Sequence, residues 1–194
     1  MTDTREKKAH VWERGELDWY VEPVRATEQL LQVEKFIGGI WDPCCGGGNV
    51  LEACNGAGYA VTGTDIVRRD SRYWFVAEGD FLAYEKAVQP NIVMNPPYFR
   101  GKGSEAFIRK AVALVPGKVC AFVDVRFMTG AGRANGLYKD HPPHRVWMVT
   151  PRVSCPPGTF LASGGKAGNG SSDYVWLVWD NAAPFTGTAL GWLR

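Results

Sequence analysis

The sequence predicts an α/β fold built on one mostly parallel sheet, and three observations carry that expectation. A short apolar strand at residues 91–94 ends abruptly in Asn95-Pro96-Pro97-Tyr98. An earlier strand closing on Asp42 runs straight into Gly46, Gly47 and Gly48 and then into a helical pattern from residue 50. A third apolar strand, residues 59–64, stops at Asp65. Ligands of open α/β sheets bind outside the carboxyl ends of the strands, and here each strand end carries a polar or conformationally free group.

Taken in order, an amphipathic stretch containing Thr27 precedes the first strand, which ends at Asp42. Glycines at 46, 47 and 48 let the backbone approach a ligand without Cβ interference, and the helix begins behind them. Strand two is residues 59–64, with Asp65 placed to bind ribose hydroxyls. Strand three, roughly residues 73–77, leads into Glu78-Gly79-Asp80-Phe81, adding another acid and an aromatic ring at the same edge. Strand four cannot continue past Pro96 and Pro97, because neither has an N–H to donate to a ladder. Residues 104–114 read as a helix with apolar positions at 106, 107, 111 and 114, Ser104 as its N-cap and Pro116-Gly117 as its stop. Residues 119–123 form a buried strand, and residues 129–143 a loop or short irregular helix. Two last strands, 145–149 and 174–179, form an antiparallel pair. Their tryptophans, like Trp41, are expected in the core or on a sheet face. The glycine-rich residues 164–172 form a surface loop that either contacts a nucleic acid or serves as a tether.

The four residues at 95–98 have a chemistry of their own. An amide oxygen and a backbone carbonyl can accept both hydrogens of an –NH2 group while a tyrosine face stacks on the ring bearing it. Adenine N6, cytosine N4 and a glutamine amide all satisfy that description.

The series Asp42-Pro43-Cys44-Cys45-Gly46, the acid at 65, Gly79-Asp80-Phe81 and Asn95-Pro96-Pro97-Tyr98 resembles the S-adenosylmethionine-dependent amino-methyltransferases, above all the DNA adenine-N6 enzymes. The likeness covers residues 18 to about 100. A Pro151-Arg152-Val153-Ser154 segment also resembles small phage-type adenine methyltransferases. The resemblance implies a Rossmann-like class I methyltransferase: a seven-stranded, mostly parallel sheet with an antiparallel last strand. It implies S-adenosyl-L-methionine as cofactor, its methionine end held by Asp42, Pro43, Cys44, Cys45, Gly46 and Gly48. The ribose would go to Asp65 and the adjoining Ile66, and the adenine to Asp80 and Phe81. Tyr20, Pro23 and Thr27 match an amino-terminal cofactor motif in which Glu22 replaces the usual threonine. Asn95, Pro96, Pro97 and Tyr98 would be catalytic, with Asn95 also touching the cofactor. Hydrogen bonds from the target amine to the Asn95 side chain and the Pro96 carbonyl would localise its lone pair for in-line attack on the sulfonium methyl. Tyr98 would stack on an extruded base. An RNA base or a protein glutamine could be served by the same box. The glutamine enzymes usually carry an extra helical substrate domain, and a non-catalytic binding module would need one of the four motifs broken.

With 194 residues the chain is expected to be a single methyltransferase domain over 1–194, with a flexible segment at 1–17 and no separate target-recognition domain. No apolar run approaches membrane-spanning length, and five cysteines without a Cys-x-x-Cys pair suit a reducing compartment. The expected location is the cytoplasm, or the host cytoplasm for a phage-encoded enzyme, and no bound metal is expected.

The net charge of +2 conceals an asymmetry. Residues 1–98 carry 10 Lys and Arg against 15 Asp and Glu, a balance of −5; residues 99–194 carry 12 against 5, a balance of +7. Arg100, Lys102, Arg133, Lys139, Arg145, Arg152 and Lys166 are the candidate phosphate contacts, and DNA the expected partner.

Overall fold

A computed structural model describes residues 18–69, 71–168, 170 and 172–194. The segment expected to be flexible, 1–17, and the side chain of Arg100 lie outside the described residues.

The chain runs α1 (Val24–Val33), β1 (Ile40–Asp42), α2 (Asn49–Gly56), β2 (Val61–Asp65), β3 (Phe75–Glu78), β4 (Asn91–Met94), α3 (Lys102–Leu114) and β5 (Lys118–Asp124). It continues through α4 (Ala131–Asn135), α5 (Leu137–Asp140), β6 (Arg145–Val149), α6 (Gly158–Ala162), β7 (Tyr174–Asp180) and β8 (Ala189–Leu193). All eight strands form one sheet in the order β3-β2-β1-β4-β5-β7-β6-β8. Among the described residues, only β7 runs against its neighbours, pairing antiparallel with both β5 and β6. This is a Rossmann-like α/β fold, mostly parallel with an antiparallel strand toward its carboxyl end.

The expected antiparallel pairing of 145–149 with 174–179 is present as β6 and β7. The expected count of seven strands is exceeded by one. The additional strand, β8, pairs in parallel with β6 along the outer edge. Its sequence, five residues with a central glycine, gives a weak strand signal. Gly191 is there because a Cβ would lie 2.2 Å from the Trp147 ring that crosses it.

The two faces of the central strands divide the core by the two-residue period of a β-strand. Ile40, Val93, Cys120, Phe122, Trp176 and Val178 face α1 and α2. Trp41, Ile92, Val119, Ala121, Val123, Val175 and Trp179 lie in the cluster with Ile108 and Ala111 of α3. Both faces are covered, so β4, β5 and β7 read as continuous apolar runs. Trp41, Trp176 and Trp179 are buried, as expected.

Ser104 departs from expectation. The helix starts two residues earlier behind Gly101, and the buried Ser104 hydroxyl instead donates to the Pro97 carbonyl at 3.1 Å. The proline-terminated strand leaves that carbonyl without a ladder partner, and satisfying it outweighs capping.

The amino edge of the sheet is tied by Glu34, which is 1% exposed. Its carboxylate accepts from Lys118 Nζ at 2.6 Å, Arg145 Nε at 2.5 Å and Trp147 Nε1 at 2.9 Å. Burial alone would raise its pKa, but hydrogen bonds from Arg145, Lys118 and Trp147 prevail and hold it below the usual range. Glu34→Ala would leave two cations facing Asp180 alone. We expect a loss of roughly 2–4 kcal/mol, less than for fully buried pairs because both cations are partly wet, read as a lower urea midpoint at neutral pH.

Candidate active site

Because β1 pairs in parallel with β2 and β4, Asp42, Asp65 and Asn95 emerge at one edge. The connection from β1 to α2 folds over that edge. Cys45 N–H donates to Thr64 O at 3.0 Å, Gly46 N–H to Asp65 Oδ2 at 2.8 Å, and Cys44 N–H to Asp42 Oδ1 at 3.1 Å. Gly46 has φ +50°, and a Cβ there would meet Trp19 Nε1 at 2.7 Å. Both demands explain the glycine.

The segment from Asp18 to Pro23 crosses the same edge. Val21 N–H donates to Pro156 O and Gly158 N–H to Trp19 O, both at 2.9 Å, binding this segment to the loop before α6. Asn95 Nδ2 donates to Tyr20 O at 3.0 Å and to Glu22 Oε2 at 2.6 Å. Asp18 accepts the Phe99 N–H. The Arg69 guanidinium lies 4.8 Å above the Trp19 ring and 2.8 Å from Asp65 Oδ1. Trp19 and Arg69 therefore roof the glycine-rich loop.

Beneath them is a cleft of about 290 Å³. Of the expected cofactor residues, Tyr20, Asp42, Pro43, Cys44, Cys45, Gly46, Asp65, Ile66, Asp80, Phe81 and Asn95 line it. Asp80 also caps the turn at Phe81–Ala83 by accepting from Leu82 N–H at 2.9 Å. Phe81 is buried edge-on against Trp41 with ring centres 5.3 Å apart. Gly48, Pro23 and Thr27 are absent from the wall: Gly48 and Pro23 cap α2 and α1, and Thr27 is fully buried within α1. Of the catalytic set, Asn95 and Pro97 line the cleft, while Pro96 is buried behind it. Tyr98 does not line this cleft; its ring is edge-on to Tyr20 at 5.9 Å and its hydroxyl lies 3.4 Å from Asn95 Oδ1. Trp19, Glu22, Arg69 and Phe107 complete the wall. Motif spacing passes over all four, although an acid between Val21 and Pro23 was visible where a threonine is usual.

Electrostatically the cleft is acidic. Burial pushes Glu22 from 4.5 up to about 7, partly opposed by hydrogen bonds from its own backbone and Asn95. Burial raises Asp42 well above the carboxylate range, and the charges of Glu22 and Asp65 add to it. The same causes, burial first and then Asp42 and Asp65, keep Cys44 a thiol. A thiol so held is a poor nucleophile; it points to Asn95 O at 3.5 Å. All five cysteines are free, and among the described residues no group of three His, Cys, Asp or Glu is arranged to hold a metal.

The basic residues divide by position. Lys102 heads α3, and Lys166 is exposed between β6 and β7, both at the edge bearing the cleft. Arg152 is there too but forms a two-point pair with Asp173 at 2.6 and 3.1 Å. Arg133 donates to Phe127 O and stacks 4.3 Å over that ring. Lys139 is exposed on α5. Arg145 corrects the expectation: it begins β6 at the opposite edge and is spent on Glu34 and Asp180. Charge and loop context alone could not reveal that β6 starts there.

No family model matches the sequence, and no curated protein matches it. Solved structures do resemble it. A candidate RNA methyltransferase from Pyrococcus horikoshii is 12% identical with a TM-score of 0.57, each chain covered over 82%. A candidate O-methyltransferase from Agrobacterium tumefaciens is 15% identical with a TM-score of 0.54, covering 88% of this chain and 84% of that one. The M protein of the type I restriction enzyme EcoKI is 14% identical with a TM-score of 0.56, covering 84% of this chain and 46% of that one. At these identities the shared property is the fold. No helix among the described residues is long and apolar enough to cross a membrane.

Glu22 sets a pH dependence. Its folded pKa lies above its unfolded value, so its contribution to stability is complete below pH 4.5 and is lost as pH rises through about 7. The ligand-free protein should lose about 3 kcal/mol from this residue across that window, and Glu22→Gln should lack that part of the slope. Thermal melts of both proteins against pH measure the difference.

Proposed function

We propose that this chain transfers a methyl group from S-adenosylmethionine to the exocyclic N6 amine of adenine in DNA. The observation that carries the reading is the meeting, at one sheet edge, of the Asn95 amide with an acidic cleft roofed by Trp19. Among the described residues, Asp18, Glu22, Asp42, Asp65 and Asp80 line that cleft, and Arg69 is the one cationic side chain on its wall. A site with surplus buried carboxylate suits a ligand bearing both a sulfonium and an ammonium, since each positive charge offsets the cost of ionising Asp42 and Glu22.

In this reading Asp42 and the loop at 43–47 hold the methionine end, with its carboxylate toward the amino end of α2, where negative charge is favoured. Asp65 holds the ribose: Oδ2 keeps one acceptor direction beside Gly46 N–H, and Arg69 yields Oδ1 to the second hydroxyl. Asp80, Ile66 and Phe81 hold the adenine. When bound, the cofactor supplies an activated methyl group. The chain's own residues then position the acceptor. Asn95 Oδ1 and the Pro96 carbonyl accept the two hydrogens of the target amine, localising its lone pair along the line to the methyl. Tyr98 bears on the extruded base, the rim lysines Lys102 and Lys166 on DNA phosphates, and Trp19 and Phe99 exclude water. The amine chemistry serves adenine and cytosine alike; the resemblance to the adenine-N6 enzymes, which open the box with asparagine and close it with tyrosine, favours adenine, and a purine offers the larger stacking face.

Two variants separate the roles. Asp65→Asn keeps the shape of the loop and should weaken cofactor binding at least about tenfold, the worth of one charge-assisted hydrogen bond, by calorimetry. Asn95→Ala should abolish transfer while cofactor affinity stays near native. Labelled cofactor offered to DNA, RNA and protein, followed by nucleoside analysis, should give N6-methyladenine in DNA. A dominant N4-methylcytosine peak overturns the base, and label only in RNA or protein overturns the substrate.

A further inference from the structure

Asparagine can present either face of its amide to a substrate, and the two faces have opposite chemistry. The oxygen accepts from an amine; the –NH2 donates to an oxo group. What decides between them at Asn95 is the far side of the amide, where three groups lie. Tyr20 O stands 3.0 Å and Glu22 Oε2 2.6 Å from Nδ2, while the Tyr98 hydroxyl approaches Oδ1 at 3.4 Å. Both Nδ2 hydrogens are thus already donated, and Oδ1 keeps one acceptor direction for the cleft that Asn95 lines. A flipped amide would set Oδ1 against a carbonyl and a carboxylate, two acceptors with nothing to donate.

We propose that Glu22 is a positioning residue that locks the Asn95 amide with its oxygen toward the substrate, so that the site takes amines and rejects oxo groups. The inference rests on the methyl-transfer reading above and goes beyond it by assigning amine selectivity to a residue that acts on the target amine through the Asn95 amide. Tyr20 contributes a backbone carbonyl that any side chain at 20 would supply. Among the described residues, Glu22 contributes the only side chain hydrogen-bonded to Nδ2, reached across 73 residues of chain.

The lock is complete only when Glu22 is ionised. A protonated Glu22 has its own O–H to donate and tolerates either amide orientation. The titratable groups around it are Asp42 at the end of β1, Tyr98 after β4 and Cys155 before α6. Burial keeps Tyr98 and Cys155 protonated, so Glu22 and Asp42 are the pair that titrates. Burial places Glu22 at about 7 in the ligand-free protein and the cofactor's positive charge lowers it from there, so at saturating cofactor transfer should fall on an acid limb that lies below 7.

The experiment compares the full-length native protein, Glu22→Gln and Glu22→Asp for label transfer from S-adenosylmethionine to DNA at saturating cofactor, across pH values on both sides of 7. Glutamine keeps size and shape, but its own amide can meet Asn95 in either orientation. For Glu22→Gln we expect kcat to fall roughly ten- to a hundredfold, the worth of one charge-assisted hydrogen bond, with the acid limb of the pH profile gone. Glu22→Asp should recover part of kcat and the limb. Thermal melts of each variant establish that it is folded. A folded Glu22→Gln with native kcat and an unchanged acid limb overturns the inference. A native protein that methylates no polymer overturns the methyl-transfer reading instead, so the two failures are distinct.

Discussion

The parallel pairing of β1 with β2 on one side and β4 on the other is the constraint on which the rest depends. Parallel strands send their carboxyl ends to one edge, so residues at 42, 65 and 95 meet although they are 23 and 30 positions apart in the chain. The same geometry requires a crossover between successive strands, and the crossovers cover both sheet faces. That cover makes the strands continuously apolar and confines polar groups to the ends.

The two edges resolve their buried charges in opposite ways. At the amino edge Glu34 faces Lys118, Arg145 and the indole of Trp147, and its pKa is lowered despite burial. At the carboxyl edge Asp42 and Glu22 share a cleft with Asp65, and their pKa values rise. The first arrangement holds structure. The second leaves buried carboxylates short of cations, and the proposed cofactor site rests on that imbalance. Adjacent groups in the cleft have separate duties. Arg69 neutralises Asp65 and packs on Trp19, whereas Glu22 has its hydrogen-bond partner in Asn95.

The basic second half is reshaped by folding in a way that composition conceals. Arg145 and Lys118 are consumed at the amino edge, and Arg152 and Arg126 are paired with Asp173 and Asp124. The excess of +7 counted along the chain is therefore not an excess displayed on one surface. Lys102 and Lys166 are exposed in segments at the carboxyl edge, and the segment from Pro151 to Asp173 stands beside that edge because β6 ends there and β7 begins there.

The class of fold, seven of the eight strands and the sheet edge at which the cleft opens follow from the sequence. Each rests on local physics: prolines that stop a ladder, glycines that open a turn, apolar runs that must be buried on two sides. Asn95, Asp65, Asp42 and Phe81 were legible for that reason. Tertiary structure alone decided what those rules do not reach. Ser104 bonds Pro97 instead of capping its helix, Thr27 points into the core, Arg145 lies at the wrong edge, and β8 hides behind a glycine made necessary by Trp147. Glu22 and Trp19 joined the cleft only when the loop before α6 drew their segment over β4. Hydrogen bonds between residues 73 apart follow no period, so no pattern along the chain announces them.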